Sequence, residues 1–397
     1  MGTDVGLSVS HMLGAHMSAT TMALDYLTAV GHVGATALTG PAHRRVGRLA
    51  TLGILTSVVP TVTAAGALGT VADEVFFRGW RDTPLDRPVF IVGNHRTGST
   101  FLQRLLARDA EQFATTRFVD LFLHSVSQKR VLAELGRLDG WLGGHGAALV
   151  DRLDRRWAKD FRNVHSMGLG KPEEDDYLLL TRMASGILWE TVPDAPRLRR
   201  HFWSDTEMDA REQDAHLHAY ANLARRHKYH HGGRVWLSKN PLFSTRVRGL
   251  RRVFPKARFV YLVRHPEKVV ASTASLLHEG LGGLGALRDA RQLREMVHEI
   301  CLYMYDETLA NLEGLPPDQL VCVRQEDLLG DADATVRGML EQLDLDWSTP
   351  LAEGVAEVGA RGPRKTHRYG LEDHGFTRRE VAERYTHVME RWGYVSG

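Results

Sequence analysis

The sequence predicts an α/β fold: a P-loop-like central parallel β-sheet flanked by helices, with an added helical region at the N-terminus. Three observations predict it. Short apolar runs that end in glycine or a cation recur after Pro88, each followed by turn or helical material, as expected for strands buried in a parallel sheet. The first of them, "PVFIVG", runs into "NHRTGST" and then into Phe101, Leu102, Leu105 and Leu106 at helical spacing, giving strand, glycine-rich turn and helix. Residues 1–80 carry long, weakly charged stretches without strand signals, so the chain divides into an apolar helical region at 1–80 and an α/β domain at 81–397.

Within the N-terminal region, Met12 to Val33 holds Asp25 as its one charge and reads as a buried or partner-facing helix. Leu49 to Ala72 has no charged residue, and His43, Arg44, Arg45 and Arg48 stand just before it. A bilayer needs about 20 apolar residues, and flanking arginines suit a cytoplasmic side. Gly53, Pro60, Gly66 and Gly69, with many Thr and Ala, dilute that hydrophobicity and predict instead a helix pair broken at Pro60 that covers the α/β domain or a partner. Membrane association through residues 1–76 and a homo-oligomer are both open readings.

Composition limits the function classes. With 50 Lys+Arg against 48 Asp+Glu the net charge is +2, so nucleic acid is not an expected partner and any anion site has to be local. Cys301 and Cys322 are too few for a disulfide framework or zinc cluster. The N-terminus lacks the charged start, compact apolar core and cleavage site of a secretory signal, and position 6 is Gly rather than the Ser or Thr of a myristoylation signal; the expected setting is cytoplasmic, with the inner membrane face open.

Four strands follow from the pattern: "PVFIVG", "RVWLSK" ending at Lys239, "ARFVYLVR" ending at Arg264, and the run around Val321 to Arg324. Arg117 to His230 is helical in character and is the expected place for an acceptor pocket. Ligands of open parallel sheets sit beyond the carboxyl ends of the strands. Arg96, Lys239 and Arg264 each lie at or just after such an end, which places three cations at one mouth. The Gly93–Thr100 loop adds backbone N–H groups and a helix start, a cradle for an anion. It departs from G-x-x-x-x-G-K-[ST], because Ser99 stands where the lysine would be and the cation is inside the loop at Arg96. In "VRHPEKVVASTAS", Arg264 closes a strand and Ser272 follows eight residues later, a spacing that can bring a guanidinium and a hydroxyl to one anion.

Together these segments resemble the sulfotransferases that use 3'-phosphoadenosine 5'-phosphosulfate (PAPS). Arg96-Thr97-Gly98-Ser99-Thr100 matches their R-[TS]-G-[ST]-T loop, and Arg264 with Ser272 their second motif. "LSKNP" resembles the K-x-P strand end, "VRQEDLL" the R-x-E-D-L segment, and "HSMGLGKPEEDDYLL" the H-x-M…P-E-E-D block of the bacterial branch. The resemblance spans Pro88 to Tyr394 and makes 81–397 a sulfotransferase catalytic domain. It implies that Arg96, Thr97, Gly98, Ser99 and Thr100 hold the 5'-phosphosulfate and that Arg264 and Ser272 hold the 3'-phosphate, with PAP as product and no metal expected. It further implies a basic closing loop in "ARGPRKTHRYGLEDHGF", with Arg361, Arg364, Lys365 and His367 as candidates, although the R-K-G-x-x-G-D-W form of the cytosolic branch is not present. The missing lysine then has a reason: it serves the β and γ phosphates of a triphosphate, and PAPS has neither.

Sulfuryl transfer is an in-line displacement that needs an aligned acceptor, a neutralised bridging oxygen and a base. Base candidates are His165, whose ordinary pKa of about 6.5 suits neutral pH, and Glu173, Glu174 and Asp175, which need burial to reach it. Lys239 is placed to assist the leaving oxygen. The acceptor is expected to be a small molecule with a hydroxyl or amine, and a lipid-like one is an open reading. Two other readings stand beside this one: a P-loop nucleotide or small-molecule kinase, which Ser99 and the cationic strand ends oppose, and a non-catalytic PAP-binding or membrane-associated scaffold.

Overall fold

A computed structural model describes residues 5–160, 168–361 and 370–394. Its sheet has five parallel strands: β1 (Val89–Gly93), β2 (Phe113–Ala114), β3 (Val235–Lys239), β4 (Arg258–Val263) and β5 (Leu320–Arg324), in the order β2-β3-β1-β4-β5. The four strands expected from the sequence are present. The fifth, β2, is two residues long and too short to show a period.

β1 and β4 are buried at every position because helices cover both faces, which is why they read as unbroken apolar runs. Phe90 and Val92 of β1 join Phe259, Tyr261 and Val263 of β4 in one core, while Val89 and Ile91 join Val260 and Leu262 in the other. Phe90 packs against the rings of Phe243, Phe254 and Phe259. Fully burying such a side chain contributes about 1.5–3 kcal/mol, so this layer holds the strand ends, and hence the site, in fixed register.

The N-terminal helices differ from expectation at one point. Val5–Thr39 forms one helix, but Pro60 does not break the next: the chain is helical without interruption from Ala42 to Phe76. A π turn at Ile54–Val58, in which the Val59 N–H reaches back to the Ile54 carbonyl, widens the helix just ahead of Pro60 and takes up the missing donor and the ring.

The charges flanking the apolar stretch are tied to the α/β domain. Arg44 donates to the carbonyls of Gly285 and Ala286, and Arg48 to those of Thr191 and Ala286, so both guanidiniums are satisfied by backbone carbonyls at or just after the ends of two helices in the α/β domain. Asp25 is buried between Arg197, Arg200 and His201. Ala29, Val33, Leu55 and Val59 pack with Met183, Leu188, Val192, Ala195 and Leu198. Toward the C-terminus two short helices, Arg378–Arg384 and Thr386–Trp392, meet at the buried Tyr385.

At the far end of the long helix, Asp73 is fully buried and accepts from the backbone N–H groups of Val126 and Ser127, the Ser127 hydroxyl and the Arg226 guanidinium. It therefore caps the Val126–Trp141 helix from another element. Asp73→Ala leaves two helix N–H groups unpaired in the interior and removes one of the two carboxylates on Arg226, which keeps Glu74; a loss of about 2–4 kcal/mol is expected in denaturant unfolding, and a loss below about 1 kcal/mol contradicts the capping role.

Candidate functional site

All strands being parallel, the carboxyl ends of β1, β3, β4 and β5 open on one edge, where the predicted cations meet. Gly93 ends β1 with φ 129°, and its N–H and carbonyl are both bonded to the Ser244 hydroxyl. The loop that follows holds Arg96 at φ 66° and Gly98 at φ 91°, and the Ser99–Leu106 helix starts directly after. Thr97 ties the loop to itself by donating its hydroxyl to the Asn94 carbonyl at 2.8 Å. The first N–H groups of that helix have no intrahelical acceptor and are available to an anion.

The two motifs singled out in the sequence touch. Arg96 Nε donates to Ser272 Oγ at 3.0 Å, and Arg264 Nη1 donates to the Arg96 carbonyl at 2.8 Å. Arg96, which the resemblance assigns to the 5'-phosphosulfate, thus has its side chain at the Ser272 end of the mouth, beside the second motif. Ser272 sits in the first turns of the Pro266–Gly283 helix, which His265 caps and Pro266 begins. The Arg264 guanidinium is largely buried, which pulls its pKa down; Glu326 opposes that and Arg96 adds to it. Gln325 also donates to the Arg96 carbonyl, at 3.4 Å. Gln325 and Glu326 both belong to the "VRQEDLL" segment, to which the sequence reading gave no site role. Glu326 accepts from the Tyr394 hydroxyl, and the Arg324 guanidinium lies over the Tyr394 ring.

On the other side of the loop, Lys239 at the end of β3 forms an ion pair with Glu174 and is 2% exposed. The "PEEDD" block is a 3-10 turn over Asp175–Arg182 with Glu174 at its cap, and its acids divide by environment. Glu173 is buried, its backbone fixed by Thr116 and Gln103. Asp175 turns into the core, accepting from Tyr220 and from Ser238. Burial pushes its pKa up to about 7 against those two donors, and it is removed from the mouth. Asp176 pairs with Ser185 and Arg246. Among the acids of the block, Glu173 and Glu174 remain at the mouth. His165, Arg364, Lys365 and His367 lie outside the described residues, and so does the side chain of Arg361, which ends the Thr349–Arg361 helix.

Two further buried groups complete the mouth and were not distinguished in the sequence. His95 immediately precedes Arg96, and Glu190 belongs to the short Ile187–Thr191 helix; His95 Nε2 and Glu190 Oε1 are 3.7 Å apart. A single acid in the apolar run "GILWETV" was the available signal for Glu190. The site as a whole can hold an anion in two subsites, one lined by Arg96, Arg264 and Ser272 and one by the loop N–H groups and Lys239, with titratable groups beside the second.

The profile described as "Sulfotransferase family" matches residues 88–349. The chain is 26% identical over 334 residues, 82% of its length and 80% of the other's, to the omega-hydroxy-beta-dihydromenaquinone-9 sulfotransferase Stf3 of Mycobacterium bovis, and equally to that of Mycobacterium tuberculosis. In fold it resembles the sulfotransferase STF9 from Mycobacterium avium, with TM-score 0.69 and 18% identity over 90% of this chain and 89% of that one. It also resembles STF1 from Mycobacterium tuberculosis H37Rv, with TM-score 0.67 and 20% identity over 94% and 98%.

The two loop glycines are expected to differ in tolerance. A Cβ at Gly93 falls 2.2 Å from the Leu262 carbonyl oxygen of the neighbouring strand, whereas one at Gly98 meets the Gln325 side chain at 3.0 Å, which can move. Both φ values are positive, a cost of about 1–2 kcal/mol each for Ala. Gly93→Ala should therefore lower the melting temperature several-fold more than Gly98→Ala, and equal shifts count against this placement of β1 on β4.

Proposed function

The chain belongs to the sulfotransferase family, and from that premise we propose that it transfers a sulfuryl group from PAPS to the hydroxyl, or an amine, of a hydrophobic acceptor. One observation carries the donor assignment: two like charges, Arg96 and Arg264, are held against one carbonyl and one serine hydroxyl at a strand-end mouth. Guanidiniums gathered with a neutral donor are a site for a doubly charged phosphate. In this reading Arg264, Ser272 and Arg96 take the 3'-phosphate, and the N–H groups of Thr97 to Thr100 with Lys239 take the 5'-phosphosulfate. Lys239 then offsets charge on the bridging oxygen as the sulfur–oxygen bond lengthens. Glu174 holds that ammonium in place.

The acceptor class rests on two supports. The Stf3 relatives act, by name, on a hydroxylated menaquinone, a long lipid. In this chain the helix carrying Glu190 packs through Leu188 against Leu55 and Val59 of the apolar N-terminal helix, so the wall of the mouth is continuous with an apolar element. A phosphotransferase of the kinase kind fits less well, because Ser99 stands in place of the phosphate-binding lysine and the strand ends carry Lys239 and Arg264.

Membrane association belongs to the same reading. The Ala42–Phe76 helix is long and apolar enough to cross a membrane, most of it is uncovered, and it exposes Leu68, Val71, Val75 and Phe76. The adjoining Val126–Trp141 helix exposes Leu135, Leu138 and Trp141. Arg48 and Asp73 anchor the long helix to the α/β domain near its two ends, which favours lying on the inner membrane face over crossing it.

PAP should raise the melting temperature, by about 2.7 kcal/mol of stabilisation at one hundred times its Kd, while AMP and ATP with magnesium should not. Arg264→Ala and Arg96→Ala should each abolish the PAP shift with the unliganded melting temperature nearly unchanged. An equal response to ATP with magnesium sinks the sulfotransferase donor assignment. For the surface, the double variant Val71→Glu, Val75→Glu should lose most co-sedimentation with anionic phosphatidylglycerol vesicles; wild-type sedimentation by that variant, or none by the wild type, refutes it.

A further inference from the structure

His95 and Glu190 form a buried pair that no motif assigns. Each side chain is 9% exposed, and the two facing atoms, His95 Nε2 and Glu190 Oε1, are 3.7 Å apart, just beyond hydrogen-bond distance, and neither has a hydrogen-bond partner. Buried polar groups left so are rare, since each costs about 1–3 kcal/mol, and they concentrate where a site has work for them. The pair stands beside the reacting end of the mouth: the charges acting on His95 are those of Glu174, Lys239 and Arg96, and of these Lys239, paired with Glu174, is the cation assigned to the 5'-phosphosulfate.

We propose that His95 is the proton acceptor for the acceptor hydroxyl and that Glu190 orients it, a catalytic residue and a positioning residue in series. The inference rests on the sulfotransferase reading above. Nε2 is the nitrogen sealed against the Glu190 carboxyl, so an Nε2–H donated to that carboxylate fixes the tautomer and leaves the Nδ1 lone pair for the substrate. The hydroxyl proton moves to Nδ1 as its oxygen forms a bond to sulfur; the bond from sulfur to the bridging phosphate oxygen breaks, and its electron pair leaves with PAP. The imidazolium formed is balanced by Glu190 and returns its proton to water. Arg48 donates to the carbonyl of Thr191, so the N-terminal helix fixes the end of the short helix from which Glu190 projects.

The pair has a predictable pH response. Burial pushes Glu190 up to about 8, with Glu174 and Asp176 acting in the same direction, and burial pushes His95 down to about 4, with Lys239 and Arg96 aiding and Glu174 opposing. Tyr177 also faces Glu190 and stays protonated throughout, because burial raises it far above its ordinary range. Below about pH 8 Glu190 therefore keeps its proton and donates it to Nε2, which puts the ring proton on Nδ1 and blocks the base. Turnover should rise from pH 6 to about 8 as that proton leaves.

The test uses the full chain with PAPS and farnesol as the alcohol probe. H95Q should lose about 100-fold or more in kcat with PAP affinity within about twofold of wild type. E190Q, isosteric and unable to ionise, should lose the rise between pH 6 and 8. Independently of turnover, ¹⁵N-histidine spectra of the unliganded wild type, with His95 assigned by its loss in H95Q, should show the Nε2–H tautomer above pH 9. Turnover by H95Q within about threefold of wild type, a pH rise unchanged in E190Q, or an Nδ1–H tautomer at that pH overturns the dyad. Absence of PAP stabilisation in the wild type would instead count against the donor reading on which it rests.

Discussion

The site depends on one hydrogen bond, from the Arg264 guanidinium at the end of β4 to the carbonyl of Arg96 in the loop after β1. A residue with φ 66° is not where an arginine settles on its own. The carbonyl of that residue is turned toward β4, where Arg264 and Gln325 both reach it, and the Arg96 side chain is carried across to Ser272. A contact between adjacent strand ends thus fixes the loop conformation, the position of a second cation and the opening of the anion site together. The parallel register of β1 on β4, from Val89 opposite Arg258 to Gly93 opposite Leu262, makes the contact possible.

Charge is managed differently on the two sides of the loop. On the Arg264 side, cations outnumber acids near the mouth, and in the proposed reading the donor's phosphate supplies the balance. On the Lys239 side, the ammonium is matched by Glu174, and the nearby acids are either paired deep in the core, as Asp175 and Asp176 are, or held toward their neutral form by burial, as Glu190 is. A reacting centre needs that restraint, since extra ionised carboxylates there repel a sulfated donor.

The N-terminal helices are part of this arrangement as well as an addition to it. Arg44 and Arg48, which in sequence look like the flank of a membrane segment, are bonded to carbonyls of the α/β domain, one of them next to Glu190. The apolar helix therefore braces the wall of the mouth while its other face remains exposed.

Read alone, the sequence determined the parallel α/β class, four of the five strands and the gathering of the strand-end cations Arg96, Lys239 and Arg264 at one edge, because each is recorded locally; the contact of Arg96 with Ser272 was not. Buried strands show as apolar runs, and strand-end cations show as the residues that close them. It could not rank the acids of "PEEDD", since Asp175 and Glu174 are adjacent in the chain and their different fates depend on Tyr220 and Ser238 in one case and Lys239 in the other. Nor could it pair His95 with Glu190, or turn the expected break at Pro60 into a π turn. Those outcomes depend on which groups from distant segments share one desolvated space, and only the tertiary structure decides that.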